Sequence, residues 1–348
     1  MAYVVTGATG HIGNNLVKRL IGLNQKVRIL TRRVDESIDN LQAEYKIGDV
    51  FNREFLLENI NSEDVVIHLA GVIDVKNNKK EQTMKINYEG TKLITDICIE
   101  KKVKRYIYFS SVDCIYKEND EEVFEPTKIY PDKFIDNYSH SKALATEYVM
   151  EARTNTDIPI NIVYPSAVIG TNDFKPSSIG NVVSDIIDGK MQFGIKGGYN
   201  FVDVDDVVNA TISIINNELE GDYLLTGTNV TVYELYDKVN EQLNRKKKTM
   251  HIPLFIVKLF IPFTPYLSKF VLKTIMENHN YNNQKMIEIL KIQPTSFEDT
   301  LKKQLNFLRK EKNEKNVNKS FRINCLPSIN WLYRRTIKNS LYRWMDWL

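Results

Sequence analysis

The sequence is poor in cysteine and shows neither a secretory leader nor a metal-binding pattern. Its three cysteines, Cys98, Cys114 and Cys325, lie far apart in 348 residues and lack CxxC spacing. This excludes a disulfide framework and predicts no metal site. The start runs from Met1 directly into an apolar strand, without the basic segment and apolar core of a signal peptide. We therefore expect a cytoplasmic protein with reduced cysteines.

A long uninterrupted apolar run is also lacking. The stretch from Ile252 to Leu272 is strongly apolar, but it contains Lys258, Lys269 and three prolines. A membrane-crossing helix needs about 20 consecutive apolar residues. The stretch instead predicts an amphipathic helix pair that packs on a small lobe or lies at an interface.

Basic residues are concentrated at the C-terminal end. Residues 309–348 hold ten Lys/Arg against three Asp/Glu, and they contain all three tryptophans. This composition is typical of an interfacial helix on an anionic membrane surface. The alternative is a helix that docks on the protein body or in a homodimer interface. Nucleic acid is not the expected partner, since no nucleic-acid-binding motif accompanies the charge.

The first half alternates short β-branched runs with amphipathic stretches, which predicts an α/β, doubly wound parallel sheet. We expect a nucleotide-binding domain over 1–170, a smaller C-terminal substrate lobe over 171–310, and a tail over 311–348. The predicted strands are Tyr3–Thr6, Lys26–Leu30, Tyr45–Gly48, Val65–Leu69, Arg105–Ser110 and Ile160–Tyr164. The predicted helices are Ile12–Leu23, Arg53–Ile60, Thr83–Lys101, Tyr138–Glu151, Val204–Asn216 and Thr231–Leu243.

A glycine-rich turn follows the first strand. Its sequence is Gly7-Ala8-Thr9-Gly10-His11-Ile12-Gly13. Glycines let the backbone turn tightly and approach a pyrophosphate, while the following helix presents free N–H groups. The alternative is an ordinary turn. The position between strand and helix favours a Rossmann-type dinucleotide site.

The ends of the next strands bear on the choice of cofactor. Arg32 and Arg33 follow the second strand, where an NAD-binding fold places an acidic residue. Guanidinium groups bind a 2′-phosphate, so we predict NADP, with NAD possible; alternatively, one arginine only faces solvent. Asp49 and Val50 are predicted at the adenine. The small residues Leu69-Ala70-Gly71 are predicted where the cofactor crosses the sheet edge.

Tyr138 and Lys142 are predicted to carry the chemistry. Their spacing of four places both on one helix face, where the ammonium should lower the phenol pKa and bind the nicotinamide ribose. Ser111 is expected to polarise a substrate carbonyl, with Ser110 as the alternative. Asn87 either anchors a water chain to Lys142 or serves helix packing.

These motifs, in this order, resemble the extended short-chain dehydrogenase/reductases, or NAD-dependent epimerase/dehydratase family, over roughly residues 1–310. The segment from Tyr164 to Gly170 is similar to the dihydroflavonol 4-reductase-like branch. That resemblance implies that Pro165 and Ser166 lie near the nicotinamide, and it supports NADP use.

Three positions depart from the family pattern, and they limit the reactions that we expect the protein to catalyse. The sugar-nucleotide dehydratases carry a glutamic acid where Cys114 stands, and the epimerases carry serine or threonine at Val112 and glycine at Lys117. We therefore predict an NADP-dependent oxidoreductase that interconverts a carbonyl and an alcohol on a small hydrophobic substrate. The alternatives are a sugar-nucleotide epimerase and a non-catalytic NADP-binding module.

Overall fold

The computed structural model describes residues 1–74, 76–117, 121–190, 193–194, 197–246, 250–251, 269–277 and 279–324. Most of the apolar stretch and the aromatic part of the tail lie outside these residues, and so do the predictions made for them. Residues Met1–Lys302 form one compact unit and Lys303–Leu348 a second. Across the described ranges, no helix is both long and apolar enough to cross a bilayer.

The predicted α/β doubly wound sheet is confirmed. Seven parallel strands lie in the order β10-β6-β5-β4-β1-β2-β3. These strands are β1 (Tyr3–Thr6), β2 (Val27–Thr31), β3 (Glu44–Ile47), β4 (Val65–His68), β5 (Arg105–Phe109), β6 (Ile160–Pro165) and β10 (Tyr223–Leu225). The small sheets contain β7 (Ala167–Ile169), β9 (Gly198–Asp203) and β11 (Thr228–Thr231), and β8 (Phe193–Gly194) with β12 (Met250–His251).

Helices cover both faces of the large sheet. Strands β1, β4, β5 and β6 are buried along their whole length, because apolar clusters pack on either side. The helices are α1 (His11–Gly22), α2 (Arg53–Asn59), α3 (Lys80–Thr83), α4 (Gly90–Lys101), α5 (Asn137–Thr154), α6 (Ser178–Ile187), α7 (Val204–Asn216), α8 (Val232–Gln242), α9 (Lys269–Met276), α10 (Gln284–Glu288) and α11 (Phe297–Asn324).

The sheet changes direction at β1. Val5 pairs with Ile29 of β2 on one side and with Ile67 of β4 on the other. The chain therefore builds outward from β1 to β3 and then returns to add β4, β5 and β6 on the opposite side. The loops after β1 and β4 leave in different directions, which opens a crevice at the carboxyl ends of the strands.

Two differences from the sequence prediction concern the large sheet and the helices that cover it. The single helix predicted over Thr83–Lys101 is interrupted by a π-helical segment, Met84–Glu89. A π-helix widens the turn locally and commonly marks a functional region. The short strand Tyr223–Leu225 was not predicted, and it returns the chain to the large sheet beside β6.

A buried carboxylate joins the amino ends of β1, β2 and β4. Asp64 accepts from the Ala2 amide at 2.8 Å and from Arg28 Nη1 at 2.9 Å. It also accepts from the Asn61 amide at 3.1 Å. Three separate segments therefore depend on one side chain that is almost fully buried.

We expect Asp64→Ala to destabilise the protein by about 2–4 kcal/mol, because it removes the acceptor of the buried Ala2 amide and one acceptor of the partly buried Arg28 guanidinium. Urea unfolding measures this change. The matched control is Glu44→Ala, which removes the exposed partner of the same arginine and should cost under about 1 kcal/mol. Equal losses for the two variants would contradict this description of the network.

Candidate active site

The loop after β1 has the tight geometry that the glycine pattern predicts. Gly7 has a φ of +77°, and a Cβ there would lie 2.7 Å from the Ala70 amide nitrogen. A Cβ at Gly13 would lie 2.3 Å from the Gly7 carbonyl oxygen. The Gly10 amide donates to that same carbonyl at 2.9 Å. The backbone at these positions is therefore packed against backbone, with no room for side chains.

The first turn of α1 begins directly at this loop. Gly10 is the N-cap residue and supplies no side-chain cap, so the first N–H groups of the helix remain available to an anion. Thr9 and Ile12 flank the turn and are half-buried. His11 Nε2 lies 2.9 Å from the Thr171 carbonyl oxygen, and burial lowers its pKa. The loop thus has the features of a pyrophosphate site.

The arginines after β2 are exposed. Among the described residues, neither Arg32 nor Arg33 has a side-chain hydrogen bond or ion pair. The nearby carboxylate of Asp35 is engaged by Lys175 Nζ at 2.5 Å. Two exposed guanidinium groups therefore follow β2, with no side-chain partner in the described part of the chain.

The remaining predicted cofactor contacts lie after the carboxyl ends of β3 and β4. After β3, Asp49 is exposed and accepts from the Phe51 amide at 3.1 Å, and Val50 is half-buried. After β4, the Leu69 amide donates to the Thr6 carbonyl at 3.2 Å. Ala70 and Gly71 follow it.

His68 at the end of β4 is a structural residue. Its Nδ1 lies 2.7 Å from Thr6 Oγ1, and its Nε2 lies 3.0 Å from Thr91 Oγ1. Burial lowers its pKa to about 3, so the ring is neutral at physiological pH. With both ring nitrogens occupied by hydroxyl groups, it has no free position for proton transfer.

The two serines after β5 have different partners. Ser110 Oγ lies 2.6 Å from Thr146 Oγ1 and 3.1 Å from Cys114 Sγ, so it points into the protein interior. Ser111 Oγ donates to Asp113 Oδ2 at 3.2 Å and is hydrogen-bonded to the Tyr138 side chain. Ser111, not Ser110, therefore lies beside the tyrosine.

Helix α5 carries both Tyr138 and Lys142, about one turn apart. Asp136 caps the helix by accepting from the Ser139 amide at 2.7 Å, a capping arrangement that the sequence allows one to recognise. Both side chains are buried. Lys142 Nζ donates to the Phe109 carbonyl oxygen at 2.8 Å, and burial lowers its pKa to about 8.

The pKa of Tyr138 differs from the expectation. Burial, followed by the negative charge of Asp113, raises it above its usual value, although the Ser111 hydrogen bond acts in the opposite direction. The expected lowering by Lys142 does not offset these effects, and its ammonium donates to the Phe109 carbonyl oxygen. The phenol is therefore a proton donor in this state of the protein.

Asn87 lies in the π-helical segment and is fully hydrogen-bonded. Its Nδ2 donates to the Val72 carbonyl at 2.9 Å and to Ser141 Oγ at 3.0 Å. Its Oδ1 accepts from the Val72 amide at 2.8 Å. A Cβ on Gly71 would lie 3.3 Å from Asn87 Oδ1 and 3.6 Å from Lys142 Nζ. Asn87 thus joins the loop after β4 to α5 close to the lysine.

Pro165 and Ser166 follow at the carboxyl end of β6. The Ser166 amide donates to the Leu225 carbonyl at 3.1 Å. Its hydroxyl is buried and has no hydrogen-bond partner among the described residues. An unsatisfied buried hydroxyl at this strand end fits a site for the polar group of a bound molecule.

No role was predicted for Asp113, which contacts Ser111, or for Thr146, which binds Ser110. None was predicted for Lys117 either, whose almost fully buried side chain lies 3.3 Å from Glu277 Oε2. A lysine at a position where related enzymes carry glycine was the one available signal. The contacts of Lys117 with Glu277 and of Ser110 with Thr146 join residues far apart in the chain, and such contacts are not visible in a single sequence.

Comparisons with known proteins find a family model and several relatives. The model of the 3-beta hydroxysteroid dehydrogenase/isomerase family matches residues 4–171. Sterol demethylase protein B of Methylococcus capsulatus is 27% identical over 257 residues, which are 73% of this chain and 78% of that protein. The human sterol-4-alpha-carboxylate 3-dehydrogenase, decarboxylating, is 27% identical over 72% of this chain and 69% of its own.

Two further proteins are similar. A putative dihydroflavonol 4-reductase of Synechocystis is 29% identical over 59% of this chain and 60% of its own. The crystal structure of gox2253 superimposes with a TM-score of 0.79 at 25% identity, covering 89% of this chain and 98% of that one.

We expect Gly13→Ala to abolish NADPH binding, because the added Cβ would displace the Gly7 carbonyl and distort the loop. Fluorescence titration with NADPH measures this, and thermal unfolding checks that the variant is folded. Gly22→Ala is the matched control, since nothing lies within 4 Å of a Cβ at that position. Tight binding by Gly13→Ala would refute the role of the loop.

Proposed function

We propose that this chain, an NAD(P)-dependent oxidoreductase of the extended short-chain dehydrogenase/reductase family, uses NADP(H) to interconvert a secondary alcohol and a ketone. The proposed substrate is hydrophobic and sterol-like. Ser111, Tyr138 and Lys142 are the proposed catalytic residues. The observation that carries the proposal is the placement of the Ser111 hydroxyl beside the Tyr138 phenol, with Ser110 turned away.

The proposed roles follow from the chemistry of these groups. When bound, the nicotinamide supplies or accepts the hydride at the reacting carbon. In the reducing direction, Tyr138 gives its proton to the carbonyl oxygen, which becomes the hydroxyl oxygen of the product. Ser111, whose single hydroxyl proton is donated to Asp113 here, would rotate to donate it to the substrate oxygen, in a hydrogen bond that strengthens as negative charge develops there.

Lys142 completes this arrangement. Its Nζ donates to the Phe109 carbonyl at 2.8 Å, so two further N–H groups remain for the ribose and for favouring the phenolate after proton transfer. Asn87 holds the loop after β4 in place beside it.

NADP is preferred because Arg32 and Arg33 are exposed, and because Asp35 is occupied by Lys175. An acid free to bind the ribose diol would favour NAD. The pyrophosphate would bind at Gly7, Thr9, Gly10, His11, Ile12 and Gly13, the adenine near Asp49 and Val50, and the nicotinamide near Leu69, Ala70, Gly71, Pro165 and Ser166.

A sterol-like substrate is supported by the relatives named for sterols and by the family model, whose name refers to a 3-hydroxysteroid. It accords with the apolar character of residues 252–272. The dihydroflavonol-like alternative has a relative of its own that matches a smaller part of the chain. Four further points stay proposals: the lobe boundary at residue 170, cytoplasmic location, homodimer formation and membrane contact through the tail.

We expect Arg32→Ala to weaken NADPH binding by on the order of tenfold, the effect of losing one charge-assisted hydrogen bond. NADH binding should change little. Fluorescence titration of both nucleotides measures this difference. Arg19→Ala, an exposed arginine in the last turn of α1, is the control and should resemble the wild type. Equal affinity of the wild type for the two nucleotides would contradict NADP preference.

We expect Tyr138→Phe and Ser111→Ala to lower the kcat/KM of NADPH-dependent ketosteroid reduction by about 100-fold or more. A soluble 3-ketosteroid serves as probe, and NADPH oxidation is followed by absorbance. Ser110→Ala is the matched control, because its hydroxyl is bonded to Thr146, and it should keep most activity. A loss for Ser110→Ala as large as that for Ser111→Ala would overturn the assignment.

A further inference from the structure

Large apolar and aromatic side chains are exposed around the start of α5. Ile135 is 86% exposed, Ile73 is 58% exposed, Tyr130 is 45% exposed and Tyr116 is 40% exposed. An isolated exposed hydrophobic residue needs no explanation, but a group of them marks an interaction surface. We call these four residues, together with Lys128 and Lys133, the rim surface.

Specific contacts hold the segments of the rim surface together. Asn137 Nδ2 donates to Asp74 Oδ2 at 2.8 Å, and the Asn137 amide donates to Asn77 Oδ1 at 2.7 Å. These bonds join the segment that carries Ile73 to the residues directly after Ile135. The exposed isoleucines therefore belong to one connected region.

The aromatic members of the rim surface are paired with cations. Lys133 Nζ lies 5.1 Å from the ring centroid of Tyr116, and Lys128 Nζ lies 5.2 Å from that of Tyr130. Both lysines are exposed. Among the described residues, neither lysine forms an ion pair with a carboxylate. Tyrosine and lysine together suit a boundary between apolar and aqueous phases, since each has an apolar body and a polar end.

The rim surface lies beside the proposed catalytic residues. Ile135 is three residues before Tyr138, and Tyr116 is five residues after Ser111. Ile73 is two residues after Gly71, which adjoins Lys142 Nζ. Whatever covers the rim surface is therefore close to the segments that carry the proposed catalytic residues.

We propose that the rim surface docks on an anionic phospholipid bilayer. Ile73 and Ile135 enter the boundary between headgroups and acyl chains, and the tyrosines lie at headgroup level with Lys128 and Lys133 against lipid phosphates. This contact turns the active-site entrance toward the phase in which a lipid-like substrate dissolves. The inference goes beyond the proposed activity, and its test requires no substrate.

Charge favours a bilayer over the rest of this chain as the occupant. The apolar residues 252–268 contain one lysine and no acidic residue, and residues 325–348 contain four Arg/Lys and a single Asp. Either segment would add positive charge to the lysines of the rim surface. Anionic headgroups instead supply the complementary charge, and they accept the apolar side chains without requiring an ordered partner.

The experiment is co-sedimentation of the full chain with vesicles of phosphatidylcholine, with and without phosphatidylserine. We expect binding to increase with phosphatidylserine and to weaken with salt. Ile135→Asp should lower the partition coefficient on the order of tenfold, since it replaces an inserted apolar group by a charge. Lys128→Glu with Lys133→Glu should remove most of the dependence on phosphatidylserine.

The matched control is Leu23→Asp, an exposed aliphatic residue 39% accessible at the far end of α1, which should bind like the wild type. The proposal is overturned if the wild type does not bind vesicles, or if Ile135→Asp binds as the wild type does. It is also overturned if Ile135→Asp changes only the oligomeric state, or if replacing Trp344 and Trp347 alone removes all binding. NADPH titration of the same variants separates this outcome from failure of the proposed activity.

Discussion

The ammonium group of Lys142 is buried in α5 and donates to the carbonyl oxygen of Phe109 at 2.8 Å. Removing a cation from water costs several kcal/mol, and burial lowers the pKa of this one to about 8. A carbonyl at the end of β5 is its partner in place of a carboxylate, so part of its hydrogen-bonding capacity remains unused. This bond fixes α5 against β5, and the positions of Tyr138 and of the two serines after β5 depend on it.

The crevice in which these groups lie follows from the topology of the sheet. Because β1 pairs with both β2 and β4, the loops that follow β1 and β4 start side by side and then diverge. Gly7 lets the first of these loops pack on the second at their start, and Gly13 lets the first turn of α1 pack on the Gly7 carbonyl. The neutral ring of His68, at the end of β4, is hydrogen-bonded to Thr6 and Thr91 and joins β1 to α4. The same two strands thus carry the proposed phosphate loop and the segment that adjoins Lys142.

Much of the fold and of the site was predictable from local sequence. Strands β1, β4, β5 and β6 are buried, largely apolar runs, and the glycine turn and the Tyr138/Lys142 pair are short-range patterns with a direct physical meaning. The raised pKa of Tyr138 was not predictable, since it depends on burial and on Asp113. The choice of Ser111 over Ser110 depends on Thr146, and the interrupted helix at Asn87 depends on Val72 and Ser141. These interactions join segments that only folding brings together.

The central claim is that hydride passes between the cofactor and a substrate carbon, and isotope transfer tests it most directly. NADPH carrying deuterium at the transferable position of the nicotinamide is incubated with the protein and a ketosteroid, and the alcohol product is analysed by mass spectrometry. Hydride transfer predicts one deuterium on the carbon that bears the new hydroxyl. Tight binding of the labelled cofactor with no deuterium in any product would contradict it, and that result would favour a binding module or an epimerase that retains its hydride.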